Sequence, residues 1–250
     1  TGFDQRTVLN GAHKNNPIEI TGYLQLPKGL DKVPIVIWTH SSGGPGEYVW
    51  NQFIYHGTKN LVEAGIGVMY VDNFCHRGAR ETWRDQSKVP LINGAIDAIM
   101  AYKLLQSHSR SNGKFGITGH SRGGNNSLYV ADVKFTSLFL EGTRGFDAIL
   151  PEAAECKLAG FFDKPELTSN TKLLYVHGAA DDYTLPKPCE DYVKKIKSEP
   201  GQIEIDLKEG WYHGFHYNQK PKKYQAMTVS KCPAFFVDND GLVVGNEWPD

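Results

Sequence analysis

The feature that most constrains this chain is a series of short, nearly unbroken apolar runs separated by much longer polar segments. The runs are Ile35-Val36-Ile37-Trp38, Gly67-Val68-Met69-Tyr70-Val71, Phe115-Gly116-Ile117-Thr118, Ala148-Ile149-Leu150 and Lys172-Leu173-Leu174-Tyr175-Val176. A strand with one wet face alternates apolar and polar residues, whereas a run apolar on both faces belongs to a parallel strand covered on both sides. Parallel neighbours need a crossover of a dozen or more residues. The segments between the runs are long enough to supply it as helices.

Two flanking segments do alternate. Residues 18–26 and 202–207 have period two and suit the two edges of the sheet. Between the runs, residues 92–105 form the clearest helix, with Ile92, Ala95, Ile96, Ile99, Met100 and Leu104 as its expected apolar face. The expected architecture is therefore α/β: an open, mostly parallel twisted sheet with helices on both faces. At 250 residues one domain, spanning 1–250, accounts for the chain. The tail departs from the pattern, because residues 235–237 and 242–244 flank Asp238-Asn239-Asp240-Gly241 and read as a hairpin within 232–250. No terminal Glu stands where a calcium loop would need one.

Composition narrows the partners. Lys plus Arg number 27 against 28 Asp plus Glu, so no net field draws in nucleic acid. No apolar run approaches the roughly 18 residues of a membrane span. The chain opens on Thr1, without a charged-then-apolar leader, which leaves open a secreted or periplasmic location with the leader removed and a cytoplasmic one. The four cysteines, Cys75, Cys156, Cys189 and Cys232, have no zinc-like spacing, and no metal site is expected.

Chemistry concentrates at Gly119-His120-Ser121-Arg122-Gly123. Gly-x-Ser-x-Gly alone is a weak signal, but here it follows the run at 115–118 and precedes a helix-forming segment at 125–131. Strand, tight turn and helix together expose a serine as a nucleophile, the glycines leaving room for the turn. A serine hydroxyl needs an imidazole to take its proton and a carboxylate to orient that imidazole. Past the run at 172–176 stand Asp181 and Asp182; Asp181 is the preferred acid and Asp182 the alternative. Past the last strand stand His213 and His216, and His213 is preferred for its neighbour Gly214. His120 and His177 are assigned structural roles.

The developing oxyanion needs donors already in place. The backbone amide of Arg122 is one expected donor, and that of Ser42, in His40-Ser41-Ser42-Gly43-Gly44 after the run at 35–38, is the other. Arg77 and Arg122 could each hold a substrate carboxylate or serve in a structural salt bridge, and Tyr48, Trp50 and Trp83 could wall an acyl pocket.

These residues resemble the dienelactone-hydrolase family of the α/β-hydrolase superfamily. The loop at 40–44, the elbow at 119–124, Gly178-Ala179-Ala180-Asp181-Asp182 and Tyr212-His213-Gly214-Phe215 carry the likeness, which covers roughly residues 20–220. The resemblance implies an α/β-hydrolase fold without a large lid, action on small to medium esters, and no cofactor. Dienelactone hydrolases proper carry Cys as nucleophile; Ser121 here shifts the expectation from lactone opening to serine esterase chemistry. Only about twenty residues separate the runs at 148–150 and 172–176, too few for a cap domain. Those two strands would be neighbours, and Cys156 and Cys189 each follow one of them, which makes them the favoured pair for any disulfide.

Two other classes compete. A serine peptidase or amidase related to prolyl oligopeptidase shares the elbow and the Gly-x-x-Asp loop, and an inactive binding module would keep only the fold. The sequence leaves the oligomeric state and the particular ester undefined.

Overall fold

Among the described residues seven strands form the main sheet: β1 (Thr21–Gln25), β2 (Val33–Thr39), β3 (Gly67–Asp72), β4 (Ser111–His120), β5 (Ala148–Glu152), β6 (Lys172–Gly178) and β7 (Ile203–Lys208). Their spatial order is β1-β3-β2-β4-β5-β6-β7. Only β1 runs antiparallel, to β3; every other pairing is parallel. The computed structural model describes residues 5–15, 17–46, 55–141, 145–157, 159–168, 170–215, 234–237 and 243–247.

The apolar runs become the inner strands for the reason their composition suggests. Ile35, Ile37, Val68, Val71, Ile117, Ile149, Leu173 and Tyr175 are all 2% exposed or less. The alternating segments become the edges β1 and β7, as expected. β4 is longer than its apolar run, because residues 111–114 also join the sheet, with an irregularity in register between Val33 and Ile35 on β2.

Helices α1 (Gln5–Leu9), α2 (Tyr55–Glu63), α3 (Ile92–Gln106), α4 (Arg122–Ala131), α5 (Val133–Ser137) and α6 (Pro186–Lys195) complete the layers. The apolar face of α3 differs from the one its sequence suggests. Met100 and Leu104 point outward, 37% and 66% exposed, whereas Ala98, Tyr102 and Leu105 are buried beside Ile92, Ala95 and Ile99. Tyr102 draws this stripe around by packing on Phe115 and Phe146 at ring-centroid distances of 4.8 and 5.1 Å. A Cβ at Gly94 would lie 2.3 Å from the Asn126 side chain, so glycine permits the close contact of α3 with α4.

Strand β2 sends its chain outward to β3, and the next strand, β4, lies on the other side of β2. The crevice outside the carboxyl ends of two such strands is where open α/β sheets bind ligands. The loop after β2 and the turn after β4 both open there. Between β5 and β6 only residues 153–171 intervene, and no large lid domain is present among the described residues.

Cys156 and Cys189 form a disulfide, Cα–Cα 5.0 Å, which ties the loop after β5 to α6. It closes a 33-residue separation, worth about 4 kcal/mol by loop-closure entropy. Cys75 is an exposed free thiol, and Cys232 lies outside the described residues. In the tail, β8 (Ala234–Val237) and β9 (Val243–Glu247) pair antiparallel, as the hairpin reading expects. Among the described residues no helix is long and apolar enough to cross a membrane.

Candidate active site

The turn at Ser121 is strained: its φ is 57° and ψ −115°, a conformation non-glycine residues avoid at a cost of roughly 1–3 kcal/mol. The surroundings enforce it. The Ser121 N–H donates to the Glu152 carbonyl on β5 at 2.8 Å. A Cβ at Gly119 or Gly123 would come within 2.5 or 2.3 Å of the Thr39 carbonyl, so β2 and the elbow touch only because both are glycine.

The β6–α6 and post-β7 loops bring the other two groups to Ser121. The Ser121 hydroxyl lies 3.0 Å from His213 Nε2, and His213 Nδ1 lies 2.8 Å from Asp181 Oδ2. All three are nearly buried, at 8%, 5% and 3% exposure. Asp181, rather than Asp182, makes this contact. Burial pushes the Asp181 carboxyl upward, but hydrogen bonds from His177 and His213 outweigh it and hold the group well below the usual carboxylate range. With Nδ1–H committed to the carboxylate, His213 Nε2 is left as an acceptor for the serine proton.

Tyr183 and Thr184, which the sequence did not single out, and His177, given a structural role, also converge on Asp181. Its Oδ1 accepts the amides of Tyr183 and Thr184 at 2.9 and 3.0 Å, and its Oδ2 accepts from Thr184 Oγ1 at 3.1 Å. Thr184 Oγ1 also lies 2.9 Å from His213 Nδ1. A carboxylate that binds amides two and three residues ahead is a common turn device, and that spacing was the available signal for Thr184. His177 Nε2 donates to Oδ2 at 2.9 Å. His120, adjacent to the serine, turns away from it and donates from Nε2 to the His213 carbonyl at 2.6 Å. It tethers the His213 loop to the elbow.

On the opposite side, His40 organises the loop after β2. Its Nδ1–H donates to the Ser41 carbonyl at 2.8 Å while Nε2 accepts the Asn73 amide at 3.1 Å. Burial lowers its pKa to about 4, which keeps the ring neutral in this arrangement. Fixing the Ser41 carbonyl fixes the peptide plane that carries the Ser42 N–H. Gln86 bridges the two loops, donating from Nε2 to Ser42 Oγ at 2.9 Å and accepting from Arg122 Nη2 at 3.1 Å.

The two arginines behave differently from the substrate-binding expectation and from each other. Arg77 is corrected to a structural role: its guanidinium grips Asp97 through two bonds of 2.6 and 2.9 Å and donates to the Asn73 carbonyl, with the side chain 4% exposed. A guanidinium so committed has no open edge for a substrate carboxylate. Arg122 is buried without a carboxylate partner among the described residues; it donates to the Val89 carbonyl and lies 5.3 Å from the Phe74 ring. Burial lowers its pKa to about 10. Trp83 is 43% exposed and stacks with Arg84 at 4.3 Å. Tyr48, Trp50 and His216 lie outside the described residues.

No protein-family model matches the sequence, and no curated protein does. Solved structures do match its shape. A dienelactone hydrolase from Anabaena variabilis superposes with TM-score 0.60 at 17% identity, over 82% of this chain and 86% of its own. Est1E from Butyrivibrio proteoclasticus, solved with ferulic acid bound, gives 0.58 at 17% identity, covering 81% and 90%. An α/β serine hydrolase without a lid from Xanthomonas campestris gives 0.53 at 16% identity, covering 80% and 90%. Strand order, switch point, elbow and these neighbours together assign the chain the α/β-hydrolase fold, with dienelactone hydrolases among the structures it resembles.

Proposed function

We propose that the chain is a serine hydrolase that cleaves carboxylic esters of small to medium substrates through an acyl-enzyme. The observation that carries this reading is the buried, continuous hydrogen-bonded chain from Ser121 through His213 to Asp181, set at the switch point of the sheet. The structural neighbours, which include Est1E with ferulic acid bound and a dienelactone hydrolase, support hydrolase chemistry at the level of class.

In the proposed reaction His213 Nε2 takes the Ser121 proton as Oγ attacks the ester carbonyl. The backbone amides of Ser42 and Arg122 receive the oxyanion. Neither amide has another hydrogen-bond partner among the described residues, so both donors are available. Collapse of the tetrahedral adduct expels the alcohol, which takes its proton from His213. Water, deprotonated by the same imidazole, then attacks the acyl-enzyme and releases the acid and the free serine. Asp181 stays ionised throughout and stabilises the imidazolium. No step needs a cofactor.

The test is covalent labelling with a fluorophosphonate, mapping of the modified residue, and turnover of p-nitrophenyl esters of graded acyl length. Modification at Ser121 and loss of both labelling and turnover in a folded Ser121→Ala protein are the expected results. Undiminished turnover by Ser121→Ala would refute the reading. Cleavage of peptide amides in preference to esters would favour a peptidase instead.

A further inference from the structure

Behind Asp181 the hydrogen-bonded chain does not end. Tyr175 and His177 sit two residues apart on β6, so their side chains leave the same face of the strand. Both are fully buried, at 0% exposure. The Tyr175 hydroxyl contacts His177 Nδ1, and His177 Nε2 reaches Asp181 Oδ2 at 2.9 Å and the Thr184 carbonyl at 3.0 Å. We propose that Tyr175 and His177 are positioning residues of the same machinery, which share the Asp181 carboxylate with His213 and thereby set how strong a base His213 is. This inference rests on the proposed hydrolase function.

The proton inventory starts at the tyrosine. Burial raises the Tyr175 phenol well above its ordinary range, so it keeps its proton. Among the described residues its hydroxyl has one partner, His177 Nδ1, which must therefore accept. A neutral imidazole whose Nδ1 accepts carries its proton on Nε2. His177 is thus locked as a donor toward Asp181.

The carboxylate consequently receives three donors on one oxygen: His213 Nδ1–H, His177 Nε2–H and Thr184 Oγ1–H. Charge drawn toward His177 is not available to His213. When His213 takes the serine proton, its imidazolium is stabilised less than it would be by an unshared carboxylate. Removing the competing donor would return that charge to His213 and make it a stronger base than in wild type. The other groups that face the relay are Tyr183, whose ring lies 4.8 Å from that of His213, His120 at 4.7 Å, and Glu155 and Glu190, which act on Tyr175.

A merely structural His177 and a charge-sharing one differ in sign. Loss of support for the acid would lower kcat and leave the acidic limb of the kcat/KM profile in place or move it down. Loss of a competing donor returns charge to His213 and moves that limb upward. The experiment compares pH profiles of p-nitrophenyl ester hydrolysis for wild type, His177→Leu, His177→Gln and Tyr175→Phe, each checked for fluorophosphonate labelling at Ser121. His177→Leu should shift the acidic limb up by about half a pH unit. His177→Gln, which keeps an N–H donor at similar reach, should stay close to wild type. Tyr175→Phe releases the tautomer lock and should shift the limb in the same direction by less; it decides the matter if His177→Leu does not fold. An unmoved or lowered limb in the folded variants, with wild type labelled normally, overturns this inference alone. Wild type that neither labels nor turns over ester overturns the hydrolase reading and this inference with it.

Discussion

Two buried carboxyl groups stand at the carboxyl ends of neighbouring strands, and their fates are opposite. Asp181, three residues past β6, accepts five hydrogen bonds: two backbone amides on Oδ1, and His177, His213 and Thr184 Oγ1 on Oδ2. Glu152, the last residue of β5, accepts one among the described residues, from Thr118 Oγ1 at 3.1 Å. Burial opposes charge at both. At Asp181 the donors win and the group is held below the usual range, whereas at Glu152 burial wins and the carboxyl is pushed up to about 7. Burial alone, then, does not make an acid suited to orient an imidazole; the donor count does. The two environments push two carboxyls apart, which is how a fold assigns separate roles to chemically similar groups.

The largest expected effect breaks the comparison at its strong end. Asp181→Asn keeps the volume but replaces an anion with a neutral amide whose NH₂ cannot accept from His213 Nδ1–H, so the imidazole is free to adopt the unproductive tautomer. Turnover of p-nitrophenyl esters should fall by about 10⁴-fold. Glu152→Gln, assayed beside it, should keep most of its activity, since what Glu152 gives the site is its backbone carbonyl to the Ser121 amide. Equal losses in the two variants would show that position along the sheet edge, and not the donor set, distinguishes them.

A smaller change sharpens the comparison by subtracting one donor. Thr184→Val removes the Oγ1 hydroxyl and preserves shape, and both Asp181 Oδ1 contacts come from main-chain amides that survive it. A hydrogen bond to a charged group contributes about 1.5–3 kcal/mol, so kcat should drop by about 10- to 100-fold. The steady-state kcat of the folded variant checks this, and an unchanged kcat would mean the remaining donors already saturate the carboxylate.

How much of this could be read from the chain follows from how local each signal is. The elbow is local: strand, glycines and helix are contiguous between Phe115 and Ala131, and the glycines are required by contacts with Thr39 that any elbow crossing β2 must make. The sheet edges were legible because the residues around β1 and β7 alternate apolar with polar while the runs of the inner strands do not. Asp181 and His213 were legible as residues just past strands. Thr184 was not, because it acts only once the turn at 181–184 sets its direction, and His177 was legible as a structural residue but not as a donor to Asp181, which strand β6 makes it. Arg77 stayed open between substrate contact and structural salt bridge for the complementary reason: its partner Asp97 lies 20 residues away on α3, and nothing in the loop Cys75–Arg77 reveals that the charge is already matched. The face of α3 was misjudged because Tyr102 is recruited by the rings of Phe115 on β4 and Phe146 just before β5, which lie far from it in sequence.

The smallest expected effect concerns stability and tests the weak end of the comparison. The Glu152 carboxyl has an ordinary value of 4.5 and sits at about 7 in the folded chain. Between those two values the folded state binds the proton that the unfolded state has released. Its contribution to stability is therefore intact below about pH 4.5, is lost progressively as pH rises toward 7, and stays lost above that. Glu152→Gln has nothing to ionise and should escape the loss, so its melting temperature relative to wild type should rise between pH 5 and pH 8 by roughly 5 °C, the equivalent of about 2 kcal/mol in a chain of this size. Two other buried groups titrate in this range with opposing signs: Asp132, raised to about 6, loses stability as pH rises, and His40, lowered to about 4, gains it. Both are present in wild type and variant alike and cancel in the difference. A melting-temperature gap that is the same at both pH values would mean that Glu152 is ionised throughout in the folded chain, and one donor would then suffice where the comparison with Asp181 says it does not.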